Sequence, residues 1–148
     1  MQEMIWVLNG PNLNLLGERE PDIYGRETLK DVENELREQA KALGVEISFF
    51  QVNGEGELVN LIHEARLQAK GILLNPAAYS HYSLAVYDAL KAVRLPKVEV
   101  HISQVLAREE SRKNLLTAGA CNGLIAGFGT YSYILGFQAL VLLIRGGK

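Results

Sequence analysis

The sequence predicts an α/β fold in which a five-stranded parallel sheet carries helices on both faces. Three observations predict it. Short runs rich in Val, Ile, Leu and Phe alternate with segments whose apolar residues recur every three or four positions. The runs are nearly continuous in apolar residues, as strands covered on both sides are. Strict alternation of the two kinds leads to a parallel sheet, because right-handed crossovers leave few other arrangements.

Taken in order, the predicted strands are Met4–Leu8, Val45–Val52, Gly71–Leu74, Val98–His101 and Gly123–Ala126. Between the first two, Leu29, Val32, Leu36, Ala40 and Leu43 mark a helix that Gly44 stops. Leu58, Ile62, Ala65 and Ala69 mark the next helix. Val86, Ala89, Leu90 and Val93 mark a third, ended by Pro96. A short helix is expected over Glu109–Leu116 and a last one over Tyr131–Ile144. The last is apolar nearly all round, more than the one stripe that covers a sheet, which points to a further partner. The expected strand order is 2-1-3-4-5, a flavodoxin-like three-layer sandwich. A dinucleotide-binding arrangement is disfavoured because nothing after the first strand matches G-x-G-x-x-G. Gly54-Glu55-Gly56 and Gly127-Phe128-Gly129 read as turns. Without a repeat or linker, residues 1–148 read as a single domain.

A net charge of −2 with no basic cluster argues against nucleic acid as a partner. The single cysteine, Cys121, has no internal disulfide partner, which points to a reducing compartment and a cytoplasmic location. No basic region precedes the first apolar run, so no signal peptide is expected. Tyr133–Ile144 falls short of the roughly 20 residues that span a bilayer, so no membrane partner is expected.

Ligands of such sheets bind at the carboxyl ends of the strands. There the sequence places Asn9, Asn12 and Asn14; then Asn53, Glu55 and Glu57; then Asn75, Tyr79, Ser80 and His81; then His101 and Ser103, with Arg108 and Arg112 downstream. Asn and Ser crowd such turns as caps too. Caps do not account for two histidines and two arginines on one edge, whereas His63, in mid-helix, reads as structural. No lysine is placed there for an imine: Lys70 and Lys97 precede strands, at the opposite edge. No His, Cys or carboxylate spacing resembles a metal-ligand set. Cys121 reads as buried and inert. The loop from Asn9 to Gly25 is far longer than the usual 2–6 residues of a strand-to-helix connection.

Four ordered blocks, "LNGPNLNLLGEREPDIYG" at 8–25, "EGELVNLIHEA" at 55–65, "NPAAYSHYSLAVYDAL" at 75–90 and "VEVHISQVLAREESR" at 98–112, resemble the type II 3-dehydroquinases over nearly the whole chain. The resemblance implies a flavodoxin-like 3-dehydroquinate dehydratase of the shikimate pathway. It implies anti elimination of water through an enolate, giving 3-dehydroshikimate, with no cofactor, no metal and no Schiff base. By resemblance Tyr24 is the base and Arg19 its activating arginine. Asn12 holds a water against the enolate oxygen. His101 is the general acid, and Glu99 the carboxylate that orients it. Asn75, His81, Ile102 (backbone), Ser103 and Arg112 bind substrate, and Asp88 reaches the site of a neighbouring subunit in trimers that build a homododecamer. The sequence departs from the usual pattern at Val52, Ser80, Tyr82, Tyr87, Gln104, Leu106 and Ser111, none of which has an implied chemical role. Gln104 and Leu106 flank the substrate-binding strand end, and Tyr87 adjoins Asp88.

A phenol ionises near pH 10, so a tyrosine base needs a cation against it and little solvent. Residues of about 12–27 are therefore expected to form a lid carrying Arg19 and Tyr24, with Gly17 and Gly25 as hinges. Two other readings compete: a non-catalytic flavin- or phosphate-binding module on the same fold, and an inactive structural oligomer. Against the first, the loop after strand one holds Pro11, Leu13, Leu15 and Leu16 rather than small polar residues.

Overall fold

The computed structural model describes residues 3–146. In it β1 (Glu3–Asn9), β2 (Val45–Gln51), β3 (Gly71–Asn75), β4 (Lys97–His101) and β5 (Gly123–Ala126) form one parallel sheet. The order is β2-β1-β3-β4-β5, as the sequence predicts. The register sets strand ends side by side: Asn9 faces Gln51 on one flank and Asn75 on the other, and Leu74 faces Glu99.

The helices are α1 (Pro21–Tyr24), α2 (Leu29–Leu43), α3 (Glu55–Gln68), α4 (Leu84–Ala92) and α5 (Tyr131–Ile144). Reciprocal bonds start α2: Asp31 N–H donates to Thr28 Oγ1 (3.1 Å) and Thr28 N–H to Asp31 Oδ2 (2.9 Å). Gly44 ends it in the left-handed region. α3 begins earlier than its apolar periodicity indicates, because Gly54 N–H donates to Glu57 Oε1 (3.0 Å) and adds a first turn of polar residues. Ser83 Oγ caps α4 by accepting from Val86 N–H (3.0 Å).

Alternate residues of each strand serve opposite layers. Ile5 and Val7 pack with Leu36, Leu73, Val100, Phe137 and Leu140 under α2 and α5. Trp6 and Leu8 pack with Leu58, Ile62, Ile72, Val86 and Leu90 under α3 and α4. The chain itself uses most of the apolar surface of α5. Tyr133, Ile134, Phe137, Leu140 and Val141 are buried, and Tyr131 and Leu142 are its exposed large residues. The surplus that points to a partner is smaller than the sequence implies.

The expected helix over Glu109–Leu116 does not form. Two 3-10 turns, Glu110–Arg112 and Leu116–Ala120, take its place. The reason is tertiary. Asn114 lends its backbone carbonyl to His81 Nδ1 (2.8 Å), and its amide donates to His81 O (3.2 Å), which draws the intervening residues out of helical register. Lys97, at the amino-terminal edge as expected, is buried, with Nζ on the carbonyls of Val93 (2.5 Å) and Leu95 (2.9 Å).

α5 rests its backbone directly on the sheet. A Cβ at Gly136 would lie 2.5 Å from Val100 Cγ1 and 2.9 Å from Leu73 Cδ1. Gly136→Ala is expected to destabilise the fold by about 1–3 kcal/mol, the usual effect of overpacking, measured by urea unfolding.

Candidate active site

The cleft at the carboxyl edge of the sheet is lined by Asn12, Arg19, Tyr24, Asn75, His81, His101, Ile102, Ser103, Arg108 and Arg112. It thus gathers the residues to which the resemblance gives a role, apart from Glu99 and Asp88, together with Arg108 from the same sheet edge, whereas Asn14, Asn53, Glu55, Glu57, Tyr79 and Ser80 do not line it. Its floor is a buried polar lattice. Tyr133 Oη donates to Asn9 Oδ1 (2.7 Å) and accepts from Asn75 Nδ2 (2.9 Å), while Asn75 Oδ1 accepts from Ala77 N–H (3.1 Å). Burial pushes the Tyr133 phenol far above its ordinary range, so it stays neutral and keeps its proton for Asn9. Asn53 fixes the next residue of the site, its Oδ1 accepting from the Asn12 backbone N–H (3.0 Å). Asn12 itself sits in the left-handed region, which asparagine tolerates.

Glu99 lies beneath His101, fully buried, and accepts from its Nε2 at 2.7 Å. A carboxylate accepts only, so Nε2 carries the proton and Nδ1 is the nitrogen left for the cleft. The His81 ring stacks beside that of His101, centroids 6.2 Å apart.

Tyr24 ends the single turn α1. Two arginines hold its ring: Arg19 Cζ lies 4.9 Å and Arg108 Cζ 5.2 Å from the centroid. The guanidinium that donates to the phenol oxygen is that of Arg108, at 2.6 Å. The sequence places Arg108 on this edge without a role. Its contact joins residues 84 positions apart, which no local pattern signals. Glu109 Oε1 lies against both Arg112 Nε (2.8 Å) and Arg108 Nε (3.5 Å), so one carboxylate serves two guanidiniums and the cleft keeps a positive bias.

The family model for class II dehydroquinases matches residues 3–141. The chain is 58% identical over 137 residues to the 3-dehydroquinate dehydratase of Carboxydothermus hydrogenoformans, covering 93% of this chain and 89% of that protein. It is 51% identical to that of Rhizobium meliloti over the full length of both. The crystal structure of the type II dehydroquinase from Butyrivibrio crossotus superposes with a TM-score of 0.92 at 44% identity, covering 95% of this chain and 98% of that one. The chain belongs to the class II dehydroquinase family.

In this class II dehydroquinase Gln104 and Leu106, whose departures flank the strand end in sequence, do not line the cleft, and Leu106 is exposed. Asp88 is exposed on α4 and does not line the cleft of its own chain. Among the described residues no group of three or more His, Cys, Asp or Glu is placed to hold a metal ion. Burial pushes the Cys121 thiol up to about 12. No described helix is long and apolar enough to cross a membrane.

Burial holds His81 below its ordinary 6.5, with the Asn114 carbonyl opposing and the charges of His101 and Arg112 assisting. A depressed imidazole is neutral in the fold while the unfolded chain takes up its proton. The stability it contributes is therefore whole above 6.5 and is lost as pH falls toward the folded value. In a proton NMR titration the His81 ring is expected to show a midpoint below 6.5. A midpoint above it would mean that the ring is charged at the site.

Proposed function

We propose that the protein dehydrates 3-dehydroquinate to 3-dehydroshikimate with Tyr24 as base and His101 as acid. The family membership supports the reaction, a hydro-lyase step of aromatic biosynthesis. The observation that carries the residue assignment is the pairing in one cleft of a phenol gripped by two guanidiniums with an imidazole anchored on a buried carboxylate. Arg108 and Arg19 stabilise negative charge on the phenol. The phenolate takes the proton next to the ketone. Asn12 holds a water toward the developing enolate oxygen. His101 delivers a proton to the departing hydroxyl from a ring that Glu99 orients. Arg112 takes the substrate carboxylate by charge-assisted bonds, and Asn75, His81, Ser103 and the Ile102 backbone take its polar groups.

The residues 1–148 act as one catalytic domain with a lid. Leu13 and Leu16 are buried in the core, so the start of the 12–27 segment is anchored. The moving part runs from Gly17 to Gly25, both at positive φ (95° and 84°), where a side chain would be strained. Those buried leucines also fill the place where a flavin module would keep its phosphate loop, so the non-catalytic reading is not favoured. A free, half-buried Cys121 suits the reducing cytoplasm.

Mixing the purified protein with 3-dehydroquinate should produce the enone absorbance of 3-dehydroshikimate, and no absorbance change would refute the reaction. Tyr24→Phe should bind substrate yet lose about 10²–10⁴-fold in kcat, the usual effect of removing a general base. A variant keeping a tenth of the wild-type rate would exclude Tyr24 as base.

The enzyme assembles as trimers built into a dodecamer, in which Asp88 completes a neighbour's site. Exposed Tyr82 (62%) and Leu84 (63%) beside exposed Asp88 support a covered face there. Light scattering should report the large assembly. Reassembling Asp88→Ala subunits with Tyr24→Phe subunits should restore activity that neither has alone, because some sites then draw both intact residues. An active monomer would refute the shared site.

A further inference from the structure

We propose that Ser80 and Thr117 are positioning residues for this reaction, their hydroxyls keeping the Glu99 carboxylate charged and aimed at His101. The inference rests on the role given above to the Glu99–His101 pair. Glu99 is completely enclosed, and His101 is its sole ion-pair partner among the described residues. No lysine or arginine offsets its charge there. An ionised carboxylate in such a place sheds its charge by taking up a proton unless fixed donors replace water. Two such donors are present. Thr117 Oγ1 donates to Glu99 Oε1 at 2.6 Å, and Ser80 Oγ donates to Oε2 at 2.6 Å. Both side chains are fully buried, so neither hydroxyl has water as an alternative.

The geometry assigns more than filling to these groups. One hydroxyl sits on each oxygen, which fixes the plane of the carboxylate. The remaining acceptor position used on Oε2 is taken by His101 Nε2. Fixing that plane fixes the rotation of the imidazole, and with it the direction in which Nδ1 faces the cleft. The two donors come from separate turns, Ala77–His81 and Leu116–Ala120, that clasp β4 from either side in sequence. Removing Thr117 leaves Oε1 without a partner in a dry site, and removing Ser80 leaves Oε2 to His101 alone, so either loss frees the carboxylate to rotate. A carboxylate free to rotate no longer holds the ring of His101 in one orientation toward the leaving hydroxyl.

The test is Thr117→Val, which keeps the shape of the side chain and removes the donor. It is expected to lower kcat about 10–100-fold, the scale of a lost hydrogen bond to a charged group, with KM little changed. Thr117→Ser should restore the rate. The downfield proton resonance of His101 Nε2–H should shift or broaden away in Thr117→Val and return in Thr117→Ser. A folded Thr117→Val with wild-type kcat and an unaltered His101 resonance overturns the proposal. Should Thr117→Val fail to fold, Ser80→Ala, which leaves one hydroxyl on the carboxylate, is held to the same two outcomes. Glu99→Gln separates the levels. A wild-type rate in Glu99→Gln refutes the role of the pair itself, whereas a slow Glu99→Gln beside a fast Thr117→Val and Ser80→Ala refutes the hydroxyl clamp alone.

Discussion

A carboxylate enclosed at the end of a central strand has to find every hydrogen bond within the protein, and Glu99 organises half of the site by doing so. Its oxygens draw in the turn after β3 through Ser80, the turn before β5 through Thr117, and the last residue of its own strand through His101. The sheet register puts Glu99 level with Leu74, one residue before Asn75. Asn75 in turn is satisfied by Tyr133 from the opposite layer. The floor of the cleft is therefore two hydrogen-bonded groups set side by side by the sheet, one around Glu99 and one joining Asn75, Tyr133 and Asn9. A buried polar network that is fully satisfied rigidifies what it joins, and no buried side-chain donor or acceptor among the described residues lacks a partner.

The other half of the site is built on different terms. Arg19, Tyr24, Arg108 and Arg112 lie on loops and short turns, partly exposed, and are tied by charge rather than by enclosure. Guanidiniums suit this work because they stay charged, stack on aromatic rings and donate along fixed directions. Glu109 ties two of them together and Glu20 lies 3.8 Å from Arg19, so two carboxylates stand against three arginines and the cleft keeps a positive excess for an anion. Salt is then expected to screen substrate capture more than it disturbs the buried floor.

The fold was largely legible because its signals are local. Continuous apolar runs place all five strands within a residue or two, Gly44 ends α2, and the bounds of α5 coincide with its apolar stretch. Misread elements are those decided by contacts distant in sequence. The segment 109–116 has the composition of a helix, but the bonds between Asn114 and His81 overrule it. Arg108 reads as one more charge after a strand until its reach to Tyr24 is seen. Thr117 carries no signal at all, since a lone threonine ahead of a strand is commonplace. The implied site residues cluster because strand ends are fixed by topology. Asp88 stays apart because α4 carries it on an exposed face.

The division between an enclosed histidine and a loop-borne tyrosine has a chemical reason if they act as the proposed acid and base. A proposed acid has to hold one orientation toward a leaving group, and His101 is buried on a strand end and bonded to Glu99. A proposed base carried on a loop can be brought against its cations and shielded from water only when substrate is present. Its oxygen meets Arg108, which comes from the loop after β4, while Arg19 comes from its own loop. Both cations reach the ring only where the two loops come together. In the proposed mechanism closure and the generation of the base are the same event, with the positive-φ glycines that flank α1 as hinges and Leu13 and Leu16 rooted in the core.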